Sequence, residues 1–179
     1  EVDHVAFDGQ RRLCDVVVAG AGTVGVEEYQ RIVGDTPLVV VSAHAHLSPH
    51  IGPPVAGRGP AILVTCAAAD PERLAQARSV LGDESVWILG DHEVDLAALL
   101  RRLHDQGWEH VLCEGGPHLF SSMISAGLVD ELMLTIVPRM VGTAGTTRIT
   151  EGAEFDVVAT PTVLLEKDGT LVGLWAIRR

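Results

Sequence analysis

Short apolar runs alternate with helix-forming segments along most of this 179-residue chain, and this alternation limits its fold more than any other feature. Strands that alternate with helices pair in parallel, because each helix returns the chain to the same edge of the sheet. The pattern therefore predicts an α/β domain with a mainly parallel central sheet flanked by helices. The predicted strands are 15–20, 38–42, 61–65, 85–89 and 110–113, and the predicted helices are 24–30, 71–81, 94–106 and 117–126.

The last third of the chain changes to strands alone. Segments 132–137, 155–165 and 170–177 have strand character, and Lys167-Asp168-Gly169 forms a tight turn between the last two. Strands joined by a tight turn run antiparallel, so antiparallel C-terminal strands are expected at one edge of the sheet. One α/β domain over residues 1–179 accounts for the whole pattern.

Charge and composition exclude several classes of protein. A formal net charge of −11 argues against binding to nucleic acid or an anionic membrane, since both need a basic surface. No apolar run approaches the ~20 residues that cross a bilayer, and Glu1–His4 lacks the basic start of a signal peptide. A cytoplasmic protein is expected. Cys14, Cys66 and Cys113 stand far apart beside apolar runs, which predicts buried, reduced thiols.

A strand-to-helix junction at Glu114-Gly115-Gly116 is the strongest functional signal in the chain. Two glycines let the backbone approach a ligand closely, and a helix that begins at Pro117 presents unpaired N–H groups and the positive end of its dipole. Such a junction favours a bound phosphate or diphosphate. A carboxylate at the end of a buried strand needs a partner, so Glu114 either faces a substrate or accepts bonds from the turn itself.

A second glycine turn follows the first predicted strand, where Gly20, Gly22 and Gly25 match the G-x-G-x-x-G fingerprint of dinucleotide-binding proteins. The acid that would bind the ribose hydroxyl of NADH is absent, because the next strand ends at Ser42. A hydroxyl suits a 2′-phosphate, so NADPH is favoured over NADH. The carboxyl ends of parallel strands meet at one edge, so the two turns either share one ligand site or are simple tight turns.

Three histidines, His44, His46 and His50, lie in the long loop 43–59. Imidazoles two residues apart on an extended segment point the same way, but no nearby cysteine or acid completes a metal site. Solvated histidines in a flexible or ligand-covering loop are the preferred interpretation, and no metal is predicted.

Four segments taken together resemble one protein family. They are DVVVAGAGTVG at 15–25 followed by Glu27, Ser42 at the next strand end, EGGPHLF at 114–120, and LVDELMLTIVPRMVG at 128–142. In order and separation they are similar to the pyrimidine reductases of riboflavin biosynthesis, the reductase half of the bifunctional deaminase-reductases. The resemblance implies a dihydrofolate-reductase-like fold, a homodimer and an NADPH-dependent enzyme. It implies reduction of the ribosylamino group of 5-amino-6-(5-phosphoribosylamino)uracil to ribitylamino.

The resemblance also implies roles for individual residues. Glu114 matches a residue that faces the substrate and is the catalytic candidate. The first turn, Ser42 and the second turn match NADPH contacts. Together with the glycine fingerprint, the predicted cofactor-binding residues are Gly22, Thr23, Glu27, Ser42, Gly115, Gly116, Pro117, His118 and Leu119.

Two departures from the family pattern matter. Family members commonly carry Arg where this chain has Gly25, and they open with a strand and an S-x-D-G-like segment that Glu1–Gln10 does not match. The domain is therefore expected to lack that N-terminal strand. Two other functions stay open: a related reductase acting on a pteridine or folate, and a non-catalytic relative that binds NADPH.

Overall fold

A five-stranded parallel sheet lies at the centre of the computed structural model, which describes residues 2–140 and 148–178. All of its pairings are parallel, as the alternating pattern predicted. Its order, β4-β3-β2-β1-β5, sets β1 beside β5, so the two strands that end in glycine turns are neighbours. The strands are β1 (Val16–Gly20), β2 (Leu38–Val41), β3 (Ala61–Thr65), β4 (Val86–Ile88) and β5 (Val111–Cys113).

Helices cover both faces of this sheet. Helix α3 begins where predicted, because Asp70 accepts hydrogen bonds from the Glu72 and Arg73 N–H groups and a proline follows it. Asp95 caps α4 in the same way through the Ala98 N–H. The described helices are α1 (Val2–Leu13), α2 (Ala21–Val26), α3 (Pro71–Leu81), α4 (Leu96–Asp105) and α5 (Pro117–Ser125), with a 3₁₀ turn at Asp83–Ser85.

Alternation along the buried strands divides the core into two layers. In β1, Val17 and Ala19 pack with residues of α2 and α3 on one face, whereas Val16 and Val18 pack with residues of α4 and α5 on the other. All four side chains are fully buried. The parallel sheet is therefore the middle layer, and its carboxyl edge is held rigidly from both sides.

The C-terminal strands form a sheet of their own. Strands β6 (Glu131–Ile136), β7 (Val158–Lys167) and β8 (Thr170–Arg178) pair antiparallel in the order β6-β8-β7. Asp168 and Gly169 have φ of 52° and 78°, which suits the predicted hairpin turn. The α/β fold class is confirmed. The expected position of these strands at the edge of the parallel sheet is wrong. Strands β6 and β7 both pair with β8, and no described strand joins β6 to β5.

Other local predictions differ from the structure near the N-terminus and in the histidine loop. Helix α1 was not predicted, because Gly9 at its middle weakens the helical pattern. Ala45, Ser48 and Ile51 are buried, so the middle of the histidine loop packs against the core. Residues 141 and 142, which end the last family-like segment, lie outside the described residues. None of the described helices has the length and apolar character that a bilayer crossing requires.

Candidate active site

A cleft of about 1310 Å³ lies where β5 ends and α5 begins. Its walls come from α1, β5, β6 and the first described residues after the 141–147 gap. Thr23 and the run 114–117 line it, so residues of both glycine turns reach one cavity. Ligands of parallel sheets bind at the carboxyl ends of the strands, which makes this cleft the candidate active site.

The two glycine turns touch each other at the edge of the cleft. The Gly20 N–H donates to the Gly115 carbonyl oxygen over 2.7 Å. Gly116 has φ of +55°, and a Cβ at that position would stand 2.6 Å from Thr23 Oγ1. Only glycine combines that backbone angle with so close an approach. The turns therefore form one continuous surface of backbone.

The first turn of α5 presents free hydrogen-bond donors to this surface. Its N-cap is Gly116, which offers no side-chain oxygen, and α2 likewise begins at a glycine N-cap, Gly20. No described group accepts a hydrogen bond from the N–H of His118 or Leu119. Pro117 costs nothing at the first position, because its missing N–H would be unpaired there. An anion placed here would gain these donors and the positive end of the helix dipole.

Glu114 lies at the end of β5 and is held by two residues from elsewhere in the chain. Its side chain is only 2% exposed. Arg11 Nε and Nη2 donate to its two carboxylate oxygens over 2.6 and 2.7 Å, and the Tyr29 hydroxyl donates to Oε2 over 2.7 Å. A buried carboxylate is costly unless paired, and this bidentate ion pair supplies the pairing and fixes its orientation.

The same cluster sets the protonation states of Arg11 and Tyr29. The hydrogen bond to Glu114 raises the pKa of Arg11, although burial opposes it. Burial, followed by the hydrogen bond to Glu114, raises the pKa of Tyr29 well above its ordinary value. Tyr29 is therefore a hydrogen-bond donor at neutral pH and is unsuited to act as a base. The Arg11 guanidinium also lies 4.6 Å from the centre of the Phe7 ring, so the cluster anchors α1 against β5.

Comparison with known proteins agrees with this architecture. Residues 1–172 match the RibD C-terminal domain. The chain belongs to that family. The match confirms the resemblance to the pyrimidine reductases of riboflavin biosynthesis that the sequence motifs indicated.

Two curated relatives of this RibD C-terminal domain illustrate the match. A protein of Methanothermobacter thermautotrophicus, named 2,5-diamino-6-ribosylamino-4(3H)-pyrimidinone 5′-phosphate reductase, is 34% identical over 157 residues, which cover 83% of this chain and 71% of the relative. The riboflavin biosynthesis protein RibD of Chlamydia trachomatis is 37% identical over 75 residues, which cover 42% of this chain and 20% of that protein.

Solved structures share the fold at lower identity. A pyrimidine reductase-like protein of Corynebacterium diphtheriae superposes with a TM-score of 0.78 at 21% identity, covering 95% of this chain and 78% of that one. A Thermotoga maritima deaminase and 5-amino-6-(5-phosphoribosylamino)uracil reductase superposes with a TM-score of 0.66 at 17% identity, covering 96% of this chain and 48% of that one.

The residues predicted to bind the cofactor of this RibD C-terminal domain do not all reach the cleft. Thr23 and Gly115 to Pro117 line it, and Gly22 has open space where a Cβ would stand. Glu27 is exposed at the C-terminal end of α2, outside the cleft lining. The Leu119 side chain is buried in the core, so only its backbone could serve a ligand.

Ser42 and His118 have local partners. Ser42 is buried, and its Oγ accepts the His46 N–H over 2.8 Å, which leaves the hydroxyl hydrogen free to be donated. The His118 side chain is 75% exposed, and its Nε2 lies 3.6 Å from Glu151 Oε2. Neither Ser42 nor His118 is a lining residue of the cleft.

Sequence reasoning missed Arg11 and Tyr29, the partners of Glu114. Tyr29 is the only tyrosine of the chain, and a lone tyrosine hydroxyl in an apolar protein was a usable signal. No such signal marked Arg11, because helix α1 itself was not predicted. Cys113 is partly buried against the core layer of α4 and α5 and also lines the cleft, and burial raises the pKa of its thiol. Within residues 2–140 and 148–178 no group of three or more His, Cys, Asp or Glu could hold a metal ion.

Proposed function

We propose that this chain is the reductase of riboflavin biosynthesis that converts the ribosylamino group of a phosphorylated pyrimidine to a ribitylamino group, with NADPH as the reductant. The observation that carries the proposal is the contact between the Gly20–Thr23 and Gly115–Gly116 turns beside the buried carboxylate of Glu114. The reductase names of the relatives support the same reaction class.

The residues at the two turns fit a nicotinamide dinucleotide. The bare backbone at Gly116 and the free N–H groups of His118 and Leu119 suit the diphosphate, and the Gly22–Thr23 backbone and Glu27 would complete the first-turn contacts. Ser42 keeps a hydroxyl hydrogen for a 2′-phosphate, and no carboxylate ends β2 to repel it. When bound, NADPH supplies the hydride, and the protein supplies orientation and electrostatics.

The chain's own residues then position the pyrimidine. Reduction adds a hydride at the sugar carbon that carries the nitrogen, the bond from that carbon to the ring oxygen breaks, and a proton on that oxygen completes the open-chain ribityl product. Glu114 lines the cleft, and Arg11 holds both of its oxygens, so in this proposal the carboxylate is a fixed acceptor for substrate N–H or O–H groups. Tyr29 remains protonated and fixes the same carboxylate from its other side.

Two pyrimidines fit this reaction, and they differ in whether a ring amino group has been hydrolysed. The sequence resemblance favours 5-amino-6-(5-phosphoribosylamino)uracil. The Methanothermobacter relative is named for the 2,5-diamino pyrimidinone, and its alignment covers most of this chain. We propose the diamino pyrimidinone as the first substrate to test and the uracil as the second.

The test is NADPH oxidation with both pyrimidines in parallel, with dihydrofolate and a dihydropteridine as further substrates. The proposal expects turnover of at least one phosphoribosylamino pyrimidine and much slower turnover with NADH. Turnover of dihydrofolate or dihydropteridine alone would instead assign the related reductase function. Tight NADPH binding without turnover of any substrate would assign a non-catalytic relative.

We also propose that the protein is a homodimer. Apolar side chains of the hairpin strand β7 are exposed, with Val158 at 65%, Leu164 at 60% and Leu165 at 50%. Strand β7 is an edge strand, and an exposed apolar edge is covered in most stable proteins. Sedimentation should give twice the chain mass, and Leu164→Lys should shift the protein to monomer.

Within the described strands, β5 and β6 each have one unpaired edge, and these edges support a further strand in the domain, as the family pattern led us to expect. The backbone N–H of Glu114 donates to β1, and the backbone carbonyl of Asp130 accepts from β8. Backbone groups of successive residues in a strand point to opposite sides, so the N–H and C=O groups of Cys113 and Glu131 point away from β1 and β8. We propose that one more strand pairs along β5 and β6 and leaves the end near Pro117 open. Hydrogen exchange should show the Cys113 amide protected in the full-length protein, and rapid exchange there would refute this.

A further inference from the structure

Most of the cleft lining is uncharged, and it holds one strongly basic side chain among the described residues. Among the described residues that line it, Arg148 is the one lysine or arginine, and the carboxylate of Glu114 is already neutralised by Arg11. The chain's net charge of −11 also disfavours an anion at any site without a local positive charge. A phosphate dianion in the cleft would therefore be attracted most directly by Arg148. The charged residues and histidines of the lining are His104, Glu109, His110, Glu114, Asp130, Glu131 and Arg148.

The segment that carries Arg148 is fastened to the first turn of α5. The Glu151 N–H donates to the Pro117 carbonyl over 3.2 Å, and Glu151 Oε2 lies 3.6 Å from His118 Nε2. Gly152, at φ +100°, packs so closely that a Cβ would stand 3.2 Å from the His118 ring. Three residues of chain span at most about 10 Å, so the Arg148 backbone stays near this anchor. Its side chain is exposed, and no hydrogen bond or ion pair joins it to another described residue.

We propose that Arg148 binds a phosphate monoester in the cleft and so selects the phosphorylated substrate over its unphosphorylated form. This inference rests on the proposed reductase function. A guanidinium matches a phosphate group with two parallel hydrogen bonds, which an ammonium cannot copy. Two ligands of the reaction carry such a group: the substrate has a 5′-phosphate and NADPH has a 2′-phosphate.

The test compares Arg148→Ala, Arg148→Lys and the matched control Arg101→Ala. Arg101 is an exposed arginine on α4 outside the cleft lining. Steady-state constants are measured for the phosphorylated pyrimidine, the same compound without phosphate, NADPH and NADH. We expect Arg148→Ala to raise KM for the phosphorylated substrate roughly ten- to hundredfold, the loss of one charged hydrogen bond, with kcat little changed. Arg148→Lys should recover part of this loss.

The arms of the experiment distinguish the two phosphates. A selective rise in KM for the phosphorylated pyrimidine supports the proposal and assigns the 5′-phosphate. A selective rise in KM for NADPH and not for NADH would overturn it, because Arg148 would then contact the 2′-phosphate of the cofactor and not the substrate. Equal effects on phosphorylated and unphosphorylated ligands, or effects no larger than those of Arg101→Ala, would overturn it.

A binding measurement separates this proposal from the reductase function. Calorimetry with ribose 5-phosphate and with ribose needs no turnover. The wild-type protein should bind ribose 5-phosphate and not ribose, and Arg148→Ala should lose that preference. If the protein reduces no pyrimidine yet shows the preference, the phosphate site stands while the reductase function fails. If the preference is absent or survives Arg148→Ala, the phosphate site fails.

Discussion

Replacing Gly116 with alanine tests the contact between the two glycine turns. The native φ of +55° is disfavoured for any residue with a Cβ, and the added carbon would stand 2.6 Å from Thr23 Oγ1. Forced backbone angles of this kind cost of order 1–3 kcal/mol, and overpacking a filled site costs about as much again. We therefore expect Gly116→Ala to lower the free energy of unfolding by about 3 kcal/mol. In a chain of this size that lowers Tm by roughly 6–12 °C.

The assay is thermal and chemical unfolding, with NADPH titration of the folded variants. Gly9→Ala is the matched control, because Gly9 lies in α1 and a Cβ added there would meet nothing within 4 Å. It should leave Tm unchanged or raise it slightly through helix propensity. The double variant Gly116→Ala/Thr23→Ala should recover the stability lost to the close contact with Thr23 and not the stability lost to the forced backbone angle. If Gly116→Ala costs no more than Gly9→Ala, the close packing of the turns is refuted.

Three further variants test the Glu114 cluster and the cap of α3. Glu114→Gln leaves the half-buried Arg11 without its counter-charge, so the free energy of unfolding should fall by about 2 kcal/mol. Adding Arg11→Met should restore most of that loss. Denaturant melts that show no loss for Glu114→Gln would contradict the ion pair. Tyr29→Phe removes one hydrogen bond to a charged group and should cost about 1.5 kcal/mol in the same assay, whereas an unchanged midpoint would remove Tyr29 from the cluster. Hydrogen bonds from backbone N–H groups hold the pKa of Asp70 below its usual 3.8, so its stabilisation is present above that pH and is lost as the pH falls through the lower, folded value. Asp70→Asn should flatten the acid limb of a plot of Tm against pH, and an unaltered acid limb would argue against the cap.

Features that depend on local chemistry were predictable from the sequence. Asp70 followed by proline is a complete helix start within two residues, and α3 has the predicted bounds. The glycine at 116 marks a turn because its positive φ is readily adopted only by glycine. The alternating pattern predicted that the strands run parallel, but it did not predict that β1 lies beside β5.

Features that depend on long-range packing were not predictable. Glu114 was identified as a buried carboxylate in need of a partner, but Arg11 is 103 residues away in sequence and Tyr29 is 85 away. Pairing over such separations is decided by how α1 packs against the end of β5, and no local pattern contains that information. The separate antiparallel sheet was missed for the same reason, because strand propensity does not determine which edge a strand joins.

The most direct test of a cofactor site shared by the two glycine turns is a crystal structure of the protein with NADPH. We expect the diphosphate oxygens to accept hydrogen bonds from the His118 and Leu119 N–H groups, with the backbone of Gly116 against the diphosphate and the nicotinamide on the Glu114 side of the cleft. A diphosphate bound away from both glycine turns would contradict this site.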